Sequence, residues 1–490
     1  NNKPTTVNSL IERKEIKRGR SSGYILFDVT KAYTLKQDTY GVCIRQRDSV
    51  ENKAQLIFSS SETPTESQKP YYIIEYYETQ GVEEQFDYHA FDAGRAGTAY
   101  FNDFTEQVYI ERDELGLSGI NMPVQIKRYF NSGLGGTYAQ NYNALSDFLA
   151  YLGYGWRTNY NQMIEYHNEI DEKETILYCN GNGQTIYFEK NVPEDPEKAP
   201  TWKEKPDKFS NSQGYTLEIP DEYNGVEANS LQYVKIKDSS GQTYEFNSSG
   251  LLTKINSAEA DSAKNITVTY AENGYQISKI TDGAGREYRF TYTTYPEWLF
   301  PLLTSIQAYS PSGSAITVTH NGASVPYEMI YTYEFSNYLG VDGLPILSSA
   351  TYPDGETVYY SVSDNLLSLK NIDGYAVEFA FNDSNTVISE KVYKETEIVN
   401  GGQLTITDEN SYEKTFVDLN GTRITKQFDM YGRTINTKNN NNVTESVPHI
   451  YSDDYKAQGS VSYSFYNTYE QDITGNETNL VTNGSFTTNL

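Results

Sequence analysis

Cysteine is nearly missing from this 490-residue chain: only Cys43 and Cys179 occur. They fall in segments that read as strands of different domains, which excludes a disulfide framework as the source of stability. Methionine is scarce, at 4, and Leu-rich runs are few, so there is little material for packing helices. The four histidines, His89, His167, His320 and His449, show no His-x-x-x-His or Cys/His spacing. A transition-metal site therefore has no support, and each histidine reads as structural. Positive charge is also short. Lys+Arg number 39 against 66 Asp+Glu, a formal net charge of -27 that repels a phosphate backbone and argues against nucleic acid as a partner. The surplus acids read as a solvated exterior, and the alternative of Ca²⁺ binding finds no EF-hand or nonapeptide pattern to support it.

Long apolar runs are missing too. Nothing approaches the roughly 18 apolar residues of a membrane span, and Asn1-Asn2-Lys3-Pro4 lacks the apolar core of a signal peptide. Gly-x-Ser-x-Gly, Walker and dinucleotide motifs do not occur, and no pair of carboxylates stands out for glycoside hydrolysis. The expectation is a chain without enzymatic activity and without a cofactor.

What the chain has is aromatic weight: 45 Tyr, 14% aromatic residues and 37% hydrophobic ones. Tyr and Thr suit a pleated, half-buried surface, so the composition predicts an all-β protein. A length of 490 residues predicts more than one domain. Strand-like runs begin at residues 24–30 and 41–46 and continue through 55–59 and 71–77, with a polar cluster at 60–69 between the last two. Short strands separated by turns in this way predict a β-sandwich. The order Phe-Asp-Val-Thr, Tyr-Gly-Val, Ala-Gln-Leu-Ile-Phe-Ser-Ser-Ser-Glu and Lys-Pro-Tyr-Tyr-Ile-Ile-Glu-Tyr over residues 22–78 resembles the C-terminal half of a DNRLRE-type module, so residues 1–78 are expected to form a partial sandwich.

Residues 79–132 read as a joint. Asp92-Ala93-Gly94-Arg95-Ala96-Gly97-Thr98, Asn121-Met122-Pro123-Val124 and Tyr129-Phe130-Asn131-Ser132 resemble the segment that leads into the repeats of Gram-positive RHS proteins. The next marker, Gly153-Tyr154-Gly155-Trp156, resembles the Gly-x-Gly-Trp element at the start of such an array.

From about residue 175 the chain alternates short strands with glycine turns, as tight hairpins require. Asn180-Gly181-Asn182-Gly183 is the first turn. Asp238-Ser239-Ser240-Gly241 and Asp282-Gly283-Ala284-Gly285 repeat Asp and Gly at fixed offsets, and looser copies follow at Asp354-Gly355, Asp373-Gly374 and Asp418-Leu419-Asn420-Gly421. A second theme ends alternate strands, as in Gly250-Leu251-Leu252-Thr253-Lys254-Ile255 and Gly274-Tyr275-Gln276-Ile277-Ser278-Lys279-Ile280. Phe428-Asp429-Met430-Tyr431-Gly432-Arg433 resembles the YD repeat, with Phe in place of the family's Tyr. Residues 133–437 are thus expected to be one array of RHS/YD hairpins in an extended or spiralling antiparallel sheet. Residues 438–490 read as a polar linker, and 479–486 resemble the opening strand of a carbohydrate-binding jelly roll, as if a further module followed.

In each repeat turn the Asp can cap the backbone while the Gly takes the left-handed conformation, which gives Asp238, Gly241, Asp282, Gly285, Asp429 and Gly432 structural roles. Arg286 and Arg433 are expected to pair with acids or stack on rings. Asp92, Arg95 and Trp156 are nominated as structural anchors, Arg95 as the residue that fixes a loop sealing one end of the array. Trp202, in the loop-like stretch 200–208, is the exposed aromatic nominated for stacking on glycan.

The resemblance to RHS/YD-repeat proteins, over roughly residues 85–437, implies a secreted or cell-surface scaffold of a Gram-positive bacterium. Within it, the chain would be the N-terminal part of a shell for a polymorphic contact-dependent toxin. The other reading is an adhesin whose sandwich modules bind glycan or cell-wall polysaccharide, with the repeats as a stalk. On either reading the partners are other domains of the same polypeptide or cell-surface glycan. A polysaccharide-processing enzyme is the third and weakest reading.

Overall fold

The computed structural model describes residues 81–439 apart from 83–85, 120, 133–149, 171–172, 193–200, 206–213, 221–227, 259–263, 299, 339–340, 364–365, 372–373, 382–386, 409–412 and 429–433, together with Val443–Ser446 and Ser464–Asn467. The DNRLRE-like segment, Asp373, Asp429, Gly432, Arg433 and the jelly-roll-like segment lie outside the described residues. By compactness the chain divides into Asn1–Glu78 with Asp408–Tyr412 and Thr79–Thr407 with Glu413–Leu490, and the architecture below belongs to the second.

The described part is all-β. Its only helical pieces are three 3₁₀ segments, Gly94–Ala96, Ala150–Leu152 and Ala228–Tyr233. The chain first makes a five-stranded antiparallel sheet in strict order, β1 Tyr88–Asp92, β2 Thr98–Asn102, β3 Val108–Gly116, β4 Gln125–Asn131 and β5 Trp156–Thr158. This is the joint sheet. A four-stranded sheet follows, β6 Met163–Ile170, β7 Lys173–Cys179, β8 Thr185–Asn191 and β9 Thr201–Lys205. Then comes the repeat sheet, eighteen strands in chain order from Thr216–Glu218 to Thr434–Asn439, interrupted only by a side hairpin of Thr317–His320 and Ala323–Pro326. Val443–Ser446 and Ser464–Asn467 pair with each other.

The sequence expectation of one continuous array from 133 to 437 thus differs from the structure, in which an unbroken ladder begins only at Thr216. The Gly-x-Gly-Trp marker belongs to the joint sheet because β5 pairs back onto β4. Gly155 makes that return possible. It sits at φ +74, and a Cβ there would lie 2.6 Å from the Phe130 ring, so only glycine lets Trp156 settle beside Phe130, with centroids 5.1 Å apart.

The repeat sheet follows two local rules, one at each end of its strands. At one end are the Asp turns. Asp282 Oδ1 accepts the backbone N–H of Ala284 and of Arg286, each at 2.9 Å, while Gly285 at φ +80 returns its N–H to the Asp282 carbonyl at 2.9 Å. Asp238 with Gly241 and Asp418 with Gly421 close their turns with the same backbone bonds. At the other end the register slips by one residue opposite an aromatic: Phe246, Tyr270, Tyr292, Tyr333, Phe381 and Phe428 face Leu252, Ile277, Leu303, Leu347, Val387 and Thr434. Such bulges add twist and re-aim the side chain.

Where the aromatic is tyrosine, its hydroxyl reaches the bulge of the preceding unit. Tyr270 donates to the Leu252 carbonyl at 2.8 Å, Tyr292 to that of Ile277 at 2.8 Å, and Tyr333 to that of Leu303 at 2.6 Å. Each bond satisfies a carbonyl that the bulge would otherwise strand, worth about 1 kcal/mol apiece. Along the strands one face is dry and the other wet. In Glu287–Thr293, Tyr288 and Phe290 are buried while Glu287, Arg289 and Thr291 point outward. The dry face joins the joint sheet and the four-stranded sheet in one continuous core that runs from Phe91 to Phe381.

Candidate functional site

The joint sheet lies across the dry face of the repeat sheet, and their interface is where the chain concentrates its buried polar chemistry. A row of tyrosines makes the contact. Leu117 N–H donates to the Tyr288 hydroxyl at 3.1 Å, and Tyr327 donates to the Gly116 carbonyl at 3.0 Å. Tyr331 donates to Glu114 Oε2 at 3.2 Å, Arg112 Nε donates to the Tyr352 hydroxyl at 2.7 Å, and Tyr360 donates to the Ala96 carbonyl at 2.7 Å. From Leu117 down β3 to Arg112 the partners pass from Tyr288 on Glu287–Thr293, through Tyr327 and Tyr331 at Glu328–Tyr338, to Tyr352 at the end of Val341–Thr351. Five residues advance about 17 Å and the three strand-to-strand steps cover about 14 Å, so β3 runs steeply across the repeat strands. Tyrosine suits this task because its ring adds to the core while its hydroxyl meets the backbone of the crossing sheet.

Arg128 stands at the centre of the crossing. It alternates with Ile126 and Phe130 on the inward face of β4 and is wholly buried. Its partner Glu114 is the extra residue of a bulge in β3, between Asp113 and Leu115, and the bulge turns its carboxylate inward. Arg128 donates to Glu114 Oε1 at 2.9 Å and to the Tyr360 hydroxyl at 2.8 Å, and its guanidinium lies 4.3 Å from the centre of the Trp156 ring. Burial works against the charge on Arg128, but Glu114 and the surrounding phenols outweigh it and raise its pKa further. Burial likewise pushes the Tyr360 phenol up to about 12, with Arg128 pulling the other way. The cation is held by a carboxylate, phenols and an indole, and among the described residues its Nη1 has no hydrogen-bond partner. It fixes one orientation of two sheets.

The nominated anchors fall around this centre. Trp156 is 2% exposed and touches Phe130, Arg128 and Tyr360. Asp92 Oδ1 accepts the Gly94 N–H at 2.8 Å and shapes the loop that carries Arg95. Arg95 reaches Asp354 Oδ2 at 2.5 Å and Glu356 Oε2 at 2.8 Å, while its carbonyl accepts the Tyr352 hydroxyl at 3.0 Å. The turn at Asp354 and Gly355 is thereby tied to the joint loop. The Arg95 side chain is 40% exposed, so the ion pair is a rim contact and the backbone bond is the sheltered one. Arg286 also crosses between sheets, holding Asp282 at 2.6 Å while donating to the carbonyls of Leu117 and Ser118 at 2.9 and 3.0 Å.

Trp202 departs from its expected place. It lies on β9 opposite Lys190, is 7% exposed and packs in the main core. The Pro- and Lys-rich composition of residues 200–208 suggested a loop, but pairing with β8 makes 201–205 a strand and turns the indole inward. An exposed stacking platform at Trp202 is therefore corrected.

Sequence reading did not single out Arg128, Glu114, Tyr352 or Tyr360. A charged residue on the apolar face of an alternating strand, Ile126-x-Arg128-x-Phe130, was the available signal for the first. Among the described residues no group of His, Cys, Asp or Glu is arranged to hold a metal, and no helix is long and apolar enough to cross a membrane.

No family pattern and no curated protein matches this sequence. Among solved structures, TcdB2-TccC3 without its hypervariable C-terminal region aligns with 73% of this chain at 10% identity and a TM-score of 0.32, and TcdB2-TccC3 itself aligns with 73% at 9% and 0.32. The chain spans 16% of those chains. The Photorhabdus luminescens Tc holotoxin pore aligns with 73% of this chain and 21% of its own at 7% identity and a TM-score of 0.16. Overlaps this loose carry no argument about this chain, and its reading rests on its own residues.

Proposed function

We propose that this chain is a structural scaffold without enzymatic activity, the part of a secreted RHS-repeat protein in which a crossed joint sheet seals the dry face of a repeat sheet. The single observation that carries this is the Arg128 centre, where the most elaborate polar group in the described chain is spent on locking one sheet to another. The tyrosine row and the Asp turns support the same reading, since most of their hydrogen bonds satisfy backbone of the crossing sheet or of their own turn. In the parent polypeptide the scaffold would shelter a toxic domain, as the YD-type repeats suggest by resemblance. The glycan-binding alternative loses its nominated residue with the burial of Trp202.

The test uses the parent polypeptide in co-culture with susceptible neighbours. Arg128→Ala, which loosens the seal, should make any toxic domain sensitive to added protease and abolish killing, while leaving secretion intact. Full killing and unchanged protease resistance in that variant would overturn the sheltering role. Specific binding of the parent to a glycan array would move the reading to an adhesin.

A further inference from the structure

A second buried charge cluster lies at the interface, away from Arg128. His89 on β1 places Nε2 2.9 Å from Asp103 Oδ2, just beyond β2, and Nδ1 3.5 Å from Glu390 Oε1 on the repeat strand Val387–Lys394. Phe416 from Glu413–Asp418 lies edge-on to the imidazole at 4.8 Å, and Phe91 and Phe101 of the joint sheet close in beside it. Glu390 is 1% exposed, and among the described residues neither of its carboxylate oxygens has a hydrogen-bond partner. The nearby cations are committed elsewhere. Lys426 from Arg423–Phe428 sits 2.9 Å from Asp103 and 3.7 Å from Asp87, and Lys414 is taken up by Glu106 and the Phe104 carbonyl. The charge that faces Glu390 is the one on His89.

We propose that His89 is a proton-controlled latch. Protonated, it ties the joint sheet to the repeat strand that carries Glu390. Deprotonated, it leaves a buried carboxylate with no counter-charge, and this end of the joint sheet lets go. The device resides in one imidazole placed between carboxylates of two different sheets, so a single proton changes the contact between them.

The direction follows from linkage. Burial opposes a charge on His89, but the hydrogen bond to Asp103 and the negative charges of Asp103 and Glu390 outweigh it and raise its pKa from 6.5 to about 9. The stability it contributes is complete below pH 6.5 and is lost as pH rises through about 9. Burial pushes the Glu390 carboxyl up, with His89 partly opposing, so its contribution also falls as pH rises. Asp103 acts at the other limit. Burial would raise it, but His89 and Lys426 hold it below the usual carboxylate range, and its contribution is lost only in acid. The latch is closed at neutral pH and opens on the alkaline side.

Hydrogen exchange of the whole chain at pH 7 and pH 10, corrected for intrinsic rates, tests this. Protection of β1 and of Val387–Lys394 should fall about tenfold or more between the two pH values while Leu302–Tyr309 holds steady, since one unit of pKa difference is a factor of ten. In Glu390→Gln the neutral imidazole faces an amide, and β1 should keep its protection at pH 10. In His89→Gln, β1 should already be loose at pH 7 and show no further pH dependence. A wild-type chain in which β1 and Leu302–Tyr309 respond alike to pH would overturn the latch. So would a His89→Gln chain that keeps the wild-type pH response.

Discussion

Replacing Arg128 by alanine strands the Glu114 carboxylate at the centre of the sheet crossing. Both side chains are fully buried, and among the described residues Tyr331 would remain as the donor to Glu114. Breaking one member of such a pair costs about 3–5 kcal/mol, and losing the guanidinium over Trp156 adds about 1 kcal/mol. At about 2 °C per kcal/mol for a unit of this size, the midpoint of thermal unfolding followed by circular dichroism should drop by about 8–12 °C. A double change, Arg128→Met with Glu114→Gln, removes the uncompensated charge while leaving an acceptor for Tyr331, and should recover at least half of that loss. A single variant that melts within about 1 °C of the wild type would refute the argument, because the cost comes from stranding a buried charge. So would a double variant that melts no higher than the single one.

The other consequences are smaller and sharper in position. Tyr292→Phe deletes the hydroxyl that reaches the Ile277 carbonyl and should cost about 1–3 kcal/mol in a denaturant titration; the same midpoint as wild type would show that the bulge carbonyl finds another donor. Gly250 and Gly274 occupy equivalent turns at φ +78 and +82, yet a Cβ at Gly250 would meet the Ile164 carbonyl oxygen at 2.1 Å and one at Gly274 would meet nothing within 4 Å. Gly274→Ala should therefore cost about 1 kcal/mol in conformation alone and Gly250→Ala distinctly more; equal midpoints would show that the contact is unimportant. Arg95→Ala removes a rim ion pair and should cost only about 0–1 kcal/mol of stability, whereas Tyr352→Phe, which unties both Arg112 and the Arg95 carbonyl, should cost more. Equal losses would place the anchor in the Arg95 side chain.

Local features were legible in the sequence because their partners are local. Asp238, Asp282 and Asp418 cap turns whose donors lie within four residues, so Asp and Gly at fixed offsets suffice to reveal them. The aromatic bulges are nearly as local, yet their common position was not recognised, since Phe246, Tyr270 and Phe381 lack the acidic residue that marks Phe428 as a YD unit. Nothing local in residues 79–132 marked a sheet that continues to Thr158. The function of the joint is set by Tyr352, Tyr360 and Arg286, which lie 168 to 264 residues away from the atoms they hold. No periodicity within β3 or β4 encodes those partners. His89 shows the same limit, because a lone histidine reads as structural until the fold sets Glu390 beside it. Trp202 failed for the opposite reason: its local composition suggested a loop, and pairing with β8 overruled it.

The central claim is that the joint sheet and the repeat sheet are one locked body. Trp156 reports on the joint sheet once Trp202 and Trp298, the other two of the 3 tryptophans, are changed to phenylalanine. In that variant, unfolding by denaturant should give the same midpoint by Trp156 fluorescence as by far-ultraviolet circular dichroism, which is dominated by the repeat strands. A fluorescence transition that precedes the circular dichroism transition would mean that the joint sheet detaches on its own, and would contradict the account.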